Sequence, residues 1–221
     1  MRKSNAKGIK KKNFYWLLVL LIIIAGWIFY HVKGPFILHD IALAKDRKGD
    51  LHSAVRYFGK AIRLNPRIHY FYTNRGISYS KIGYLDEALE DFGQALRLKG
   101  DDANALNSRG ITFLRNGNFE QAVSDFTKAI TLNLPLGSAF VNRGIAYIRL
   151  KQYELALKDF EYVISKYPIE PDSYTYIGIV HVEKGNVKKG IEYFTKAAGL
   201  GDKNAISYLK RYGIEYTVKQ K

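Results

Sequence analysis

Two stretches, NRGISYSKIGYLDEALEDFGQAL (74–96) and NRGIAYIRLKQYELALKDFEYVI (142–164), share residues at matching places, and half of their separation is a repeat. Phe58, Phe92, Phe126, Phe160 and Phe194 stand 34 residues apart. Gly76, Gly110, Gly144 and Gly178 keep the same step, with Ala42 in the first place. So do Ala54, Ala88, Ala122 and Ala156, closed by Gly190, and Ala61, Ala95, Ala129, Val163 and Ala197. A fixed period of this length marks a stack of repeated supersecondary units.

The columns have a steric meaning. In each unit a glycine or alanine precedes a second small residue by twelve positions, which lets two consecutive helices approach closely. The Phe lies four residues beyond that second small residue, on the same helix face. Gly49, Gly83, Gly117 and Gly185 punctuate the turns between the paired helices, and Lys151 takes that place in the fourth unit. Asn65-Pro66 and Tyr167-Pro168 close second helices, because proline disfavours helix in the residue before it.

In these columns the sequence resembles the tetratricopeptide repeat family. The resemblance covers residues 35–204 as five units (35–68, 69–102, 103–136, 137–170 and 171–204). It implies an all-α fold: a right-handed superhelical solenoid of five helix pairs. The first unit departs from the pattern at Ala42 and Lys45, and the last at Gly190 and His181, as end units commonly do. Residues 205–216 read as a capping helix over the last unit, with 217–221 as a tail. The segment KAAGLGDKNAISYLK (196–210) also resembles, over a short span, the junction between Sel1-like repeats.

Ahead of the repeats, FYWLLVLLIIIAGWIFY (14–30) carries no charge. At about 1.5 Å per residue it spans roughly 26 Å, near the lower limit for a hydrocarbon core of about 30 Å. Phe14, Tyr15 and Trp16 at one end, and Trp27, Phe29 and Tyr30 at the other, suit the two interfaces. The expectation is a transmembrane signal anchor over 14–32. A cleaved signal peptide is the competing reading, opposed by the absence of a small-x-small cleavage site. The basic tail 1–13 holds six Lys/Arg and no acid, so the positive-inside rule places the N-terminus in the cytoplasm. The repeats then lie across the membrane, in the periplasm if the cell is bacterial.

The net charge of +15 invites a nucleic-acid reading. Seven of those charges belong to the tail and Lys33; residues 34–221 hold 28 Lys/Arg against 20 Asp/Glu. No specific nucleic acid is therefore expected. With no cysteine, disulfides and thiolate metal sites are excluded. The five histidines show no metal-ligand spacing, and no phosphate loop or catalytic constellation appears. The expectation is a non-enzyme without cofactor or metal. Glu90-Asp91 and Asp101-Asp102 read as solvated acids on exposed faces or turns.

The family resemblance implies that first helices line a concave groove. Candidate groove residues are Tyr70, Thr73, Asn74 and Ile77 in the second unit, Asn107, Ile111 and Arg115 in the third, Asn142, Ile145 and Arg149 in the fourth, and Tyr176 in the fifth. Lys81, Asn104, Ser108, Ser138, Val141, Asp172, Thr175 and Ile179 share those faces. Asparagines can pair with both donors and acceptors of an extended peptide; tyrosines can act as rigid anchors. The alternative for the isoleucine column is packing against neighbouring helices. A chaperone-tail carboxylate clamp is disfavoured, because no cationic set surrounds Asn74. Arg75, Arg109 and Arg143 form another column. Their heads either bind acidic partners or phosphate, or meet carboxylates within the chain while their stems cover helix surface. The leading functional expectation is a membrane-anchored adaptor that binds protein or peptide. An accessory subunit of an envelope assembly held by other surfaces, and a weak polyanion binder, are the alternatives. The sequence names no partner and no oligomeric state.

Overall fold

The computed structural model describes residues 3–132 and 137–216, with side chains from residue 15 onward. The basic side chains of the tail 1–13, Phe14 and the tail 217–221 lie outside the described residues. The described chain is all-helical, with twelve helices. It divides into two compact units, residues 1–98 and 99–221.

The first unit opens with α1 (Lys3–Val32). Its stretch Tyr15–Val32 is exposed throughout and is long and apolar enough to cross a membrane. Helix α2 (Gly34–Arg47) follows, with Pro35 in its first turn, where a missing N–H costs nothing. Helix α3 (Leu51–Leu64) pairs with α2, capped by the Asp50 side chain, which accepts from Ser53 N. Helices α4 (His69–Ile82) and α5 (Leu85–Leu98) form the next hairpin. Gly83 ends α4 in the left-handed region at φ 104°, which glycine enters without steric cost.

The second unit contains three hairpins: α6 (Ala103–Arg115) with α7 (Phe119–Thr131), α8 (Gly137–Arg149) with α9 (Tyr153–Lys166), and α10 (Pro171–Glu183) with α11 (Val187–Gly199). A last helix, α12 (Lys203–Arg211), packs on α11 and buries Ala205 and Leu209. Helix ends there, and residues 214–216 continue without regular structure.

The small-residue columns sit where the hairpins are tightest. A Cβ built on Gly110, Gly144 or Gly178 would come within 2.7, 2.6 and 2.6 Å of the rings of Phe126, Phe160 and Phe194. Each glycine is therefore the floor on which its Phe rests, and all five Phe rings of the ladder are buried.

The acids of the second helices differ from the expectation. Asp91 is only 3% exposed, and Asp125 and Asp159 are buried with it. Each takes a guanidinium from the first helix of its own hairpin: Arg75 to Asp91, Arg109 to Asp125 and Arg143 to Asp159. Asp102 is also buried, capping α6 by accepting from Asn104 N and Ala105 N at 3.1 Å. The arginine column thus meets carboxylates within the chain, which leaves its heads committed rather than presented to a ligand.

Candidate protein-binding site

In the first unit, the α4 face is built around a buried histidine. Asn74 Nδ2 donates to His39 Nε2 at 2.8 Å, and Nδ1 of the same ring lies 3.4 Å from Asp40. The ring stacks on Phe71 at 5.0 Å and meets Tyr70 edge-on at 5.1 Å. Burial lowers the His39 pKa, so the neutral ring accepts from Asn74. Burial, and then the Asp40 charge, raise the Tyr70 hydroxyl. Thr73 was expected on the open face but is buried, its hydroxyl donating to His69 O. Tyr70, Asn74 and Ile77 are half-buried.

In the second unit, the isoleucines do two things at once. Ile111 packs on the Ala122–Phe126–Ala146 cluster and Ile145 on the cluster of Phe160 and Ile177. Both keep part of their surface in the open. Arg115 and Arg149 are exposed, and the Arg149 guanidinium rests 4.6 Å from the Phe119 ring centre. Asn107 is half-buried with its Oδ1 enclosed and without a hydrogen-bond partner.

Two concavities of this unit lie further along, on α8, α9, α10 and α12. Ser138, Val141, Asn142, Val163, Tyr167, Glu170 and Asp172 border one of about 430 Å³. Asp172, Tyr176, Ile179, Asn204, Tyr208 and Arg211 border another of about 370 Å³. Asp172 belongs to both, so the two adjoin. Tyr176 is fixed by stacking on Phe160 at 5.3 Å and 12°. Tyr208 stacks on Phe194 at 4.8 Å, with Arg211 5.2 Å from its ring centre. Under this floor the Thr175 hydroxyl donates to Asp202, whose other oxygen accepts from Asn204 N at 2.8 Å and caps α12.

Burial raises the Asp172 pKa, with Glu170 and Asp202 pushing the same way. The Tyr176 hydroxyl is raised by burial and then by Asp172. The arrangement offers fixed rings, amides and carboxylates on one helical face. Such a face can bind a chain segment; it presents no nucleophile paired with a base. Among the described residues, no three of His, Cys, Asp and Glu form a group that would hold a metal.

Asn142 and Tyr176, named from the sequence, both line these concavities, and Ser138, Val141, Asp172 and Ile179 join them. The α12 contribution was missed, because that helix was read only as a cap. Its signal was present: Asn204, Ser207, Tyr208 and Arg211 recur at three- and four-residue steps, offset from the buried Ala205 and Leu209.

Comparison with known proteins agrees with this architecture. Models described as tetratricopeptide repeat match residues 37–68, 73–134 and 141–205. No curated protein matches the chain. Among solved structures, a MamA protein is 24% identical at a TM-score of 0.68, covering 83% of this chain and 97% of its own. YrrB, described as a TPR protein with an unusual peptide-binding site, is 21% identical at 0.67, covering 79% and 90%. PilW, described as a widely conserved type IV pilus biogenesis factor, is 21% identical at 0.72, covering 82% and 87%. At these identities the likeness is one of fold.

Proposed function

Because this chain belongs to the tetratricopeptide repeat family, we propose that it is a membrane-anchored adaptor whose helical faces bind a protein or peptide. The observation that carries the reading is the pair of adjoining concavities on α8, α10 and α12, which share Asp172 and hold Asn142 and Tyr176. Rings held rigid by stacking lose little freedom when a ligand arrives, which favours them as anchors. The amides of Asn142 and Asn204 can pair with both the donors and the acceptors of a peptide backbone. The role is one of binding and assembly rather than catalysis.

Anchoring is supported by the apolar helix Tyr15–Val32, none of which is buried by the rest of the chain. The basic flank ahead of it supports an N-terminus in the cytoplasm and repeats on the far side.

The test is photocrosslinking in cells from a reactive residue placed at Ser207, with one at Lys158 on α9 as control. A discrete adduct from Ser207, absent at Lys158 and lost on Asn142→Ala plus Tyr176→Ala, is the expected result. Equal adducts from both positions, unaffected by those substitutions, would remove this face as the binding site.

A further inference from the structure

Helix α3, LHSAVRYFGKAIRL, holds three cations and no acid. Arg56, Lys60 and Arg63 are exposed along it, and exposed Arg67 follows in the turn before α4. Among the described residues of this unit, ion pairs join other cations: Lys45 with Asp50, Lys81 with Asp46 and Arg75 with Asp91. Asp40, the acid of the first turns of α2, lies against His39 Nδ1. Exposed in this way, the cations are open to a counter-charge from outside the chain.

Its position says where that charge lies. A Cβ built on Gly34 would touch Leu64 Cδ1 at 3.5 Å and the Tyr30 ring at 3.6 Å. Tyr30 ends the uncharged stretch 14–30, so on the membrane-anchor reading the C-terminal end of α3 sits where the chain leaves the hydrocarbon. Exposed Lys33 lies in the same place. Lys60 is one helical turn back from Leu64, about 6 Å along the axis. The headgroup layer adds about 5–7 Å beyond the hydrocarbon on each side.

We propose that Lys33, Lys60, Arg63 and Arg67 seat the first hairpin against the phosphate groups of anionic phospholipids around α1. This rests on the membrane-anchor reading above. Arginine forks fit phosphate oxygens in pairs, while the two lysines act as point charges beside them. The seat holds the first hairpin on the surface instead of leaving it to swing on the residues around Gly34.

The chain has no cysteine, so Arg56→Cys on the full chain carries a single dye. That chain is placed in nanodiscs of phosphatidylcholine, with or without phosphatidylglycerol, containing lipid with a nitroxide on its headgroup. The expected result is about twofold stronger quenching with phosphatidylglycerol, falling as salt screens the contact. The neutral variant Lys60→Gln, Arg63→Gln, Arg67→Gln loses that difference, whereas Lys158→Gln with Lys166→Gln keeps it. Equal quenching in both lipids overturns the proposal, as does a difference that survives the triple variant. Quenching that follows the number of chains per disc instead of lipid charge assigns the surface to a second copy and also overturns it. Failure to enter the discs removes the anchor reading and this one together; entry with equal quenching removes this one alone.

Discussion

Arg143 on α8 and Asp159 on α9 are joined by two parallel hydrogen bonds, Nε to Oδ2 at 2.8 Å and Nη2 to Oδ1 at 2.7 Å. The side chains are only 15% and 7% exposed. Arg143 Nη1 also donates to Thr127 at 3.0 Å, tying the hairpin to α7 of the preceding one. The bond to Asp159 raises the Arg143 pKa, so the guanidinium stays charged throughout the usable pH range. Arg75 with Asp91 and Arg109 with Asp125 repeat the fork.

Removing one partner leaves the other charge buried alone. Asp159→Ala is expected to destabilise the chain by about 3–5 kcal/mol, whereas replacing both residues by apolar ones of similar volume costs far less. Urea denaturation of the two variants side by side measures this; equal losses would mean that the charge plays no part.

The contact of Gly144 with Phe160 leaves no room for a methyl group. Gly144→Ala is expected to cost about 1–3 kcal/mol by forcing the ring or the hairpin apart. The first hairpin natively carries Ala42 in that column, packed with Ala54 and Phe58. Ala42→Gly therefore opens space instead of relieving strain, and it too should lower the thermal midpoint.

Lys151 sits at φ 57°, in the turn position that glycine holds in other hairpins. A side chain there costs about 1–2 kcal/mol, partly offset by the greater freedom of an unfolded glycine. Lys151→Gly is expected to stabilise the chain by up to about 1 kcal/mol, visible as a raised thermal midpoint.

Burial lowers the His39 pKa below its unfolded value. The unfolded chain then binds the proton more readily, so stability is complete above the unfolded pKa and is lost as pH falls toward the folded one. His181 is lowered in the same sense by burial and by Lys189 and Lys184. The urea midpoint should fall between about pH 7.5 and pH 5. In His39→Gln that fall should be smaller, and an unchanged slope would remove His39 from the account.

Tyr176 contributes its ring more than its hydroxyl, since the ring stacks on Phe160. Tyr176→Phe should keep most of the affinity for a partner crosslinked from Ser207. Tyr176→Ala should lose about 2 kcal/mol, roughly 30-fold in Kd. Anisotropy titration of that partner separates the two.

Much of the helix pairing was legible because close packing leaves a compositional trace. Gly144 and Phe160 recur at the family period since only a small residue fits opposite the ring at that distance. The arginine column was equally visible, but its partners were misjudged. Asp91 stands beside Glu90 in the sequence, and both look like solvated acids. About 100° of rotation between consecutive helical residues separates them, turning Asp91 toward Arg75 and leaving Glu90 in water. The recurrence of Asp91, Asp125 and Asp159 at the arginine period was the available signal.

The sequence by itself determined the helix pairs, the small and aromatic residues between them, and one apolar helix ahead of them. These follow from local periodicity and from volumes that must match between neighbours in the chain. The tertiary structure alone decided that Thr73 is enclosed while Asn142 and Tyr176 line open concavities. It also decided that α12 lends Tyr208 and Arg211 to that surface, and that Leu64 and Tyr30 both lie against Gly34. Those relations join residues about 30 positions apart or more, and they depend on how one helix is turned against another, which composition and period leave open.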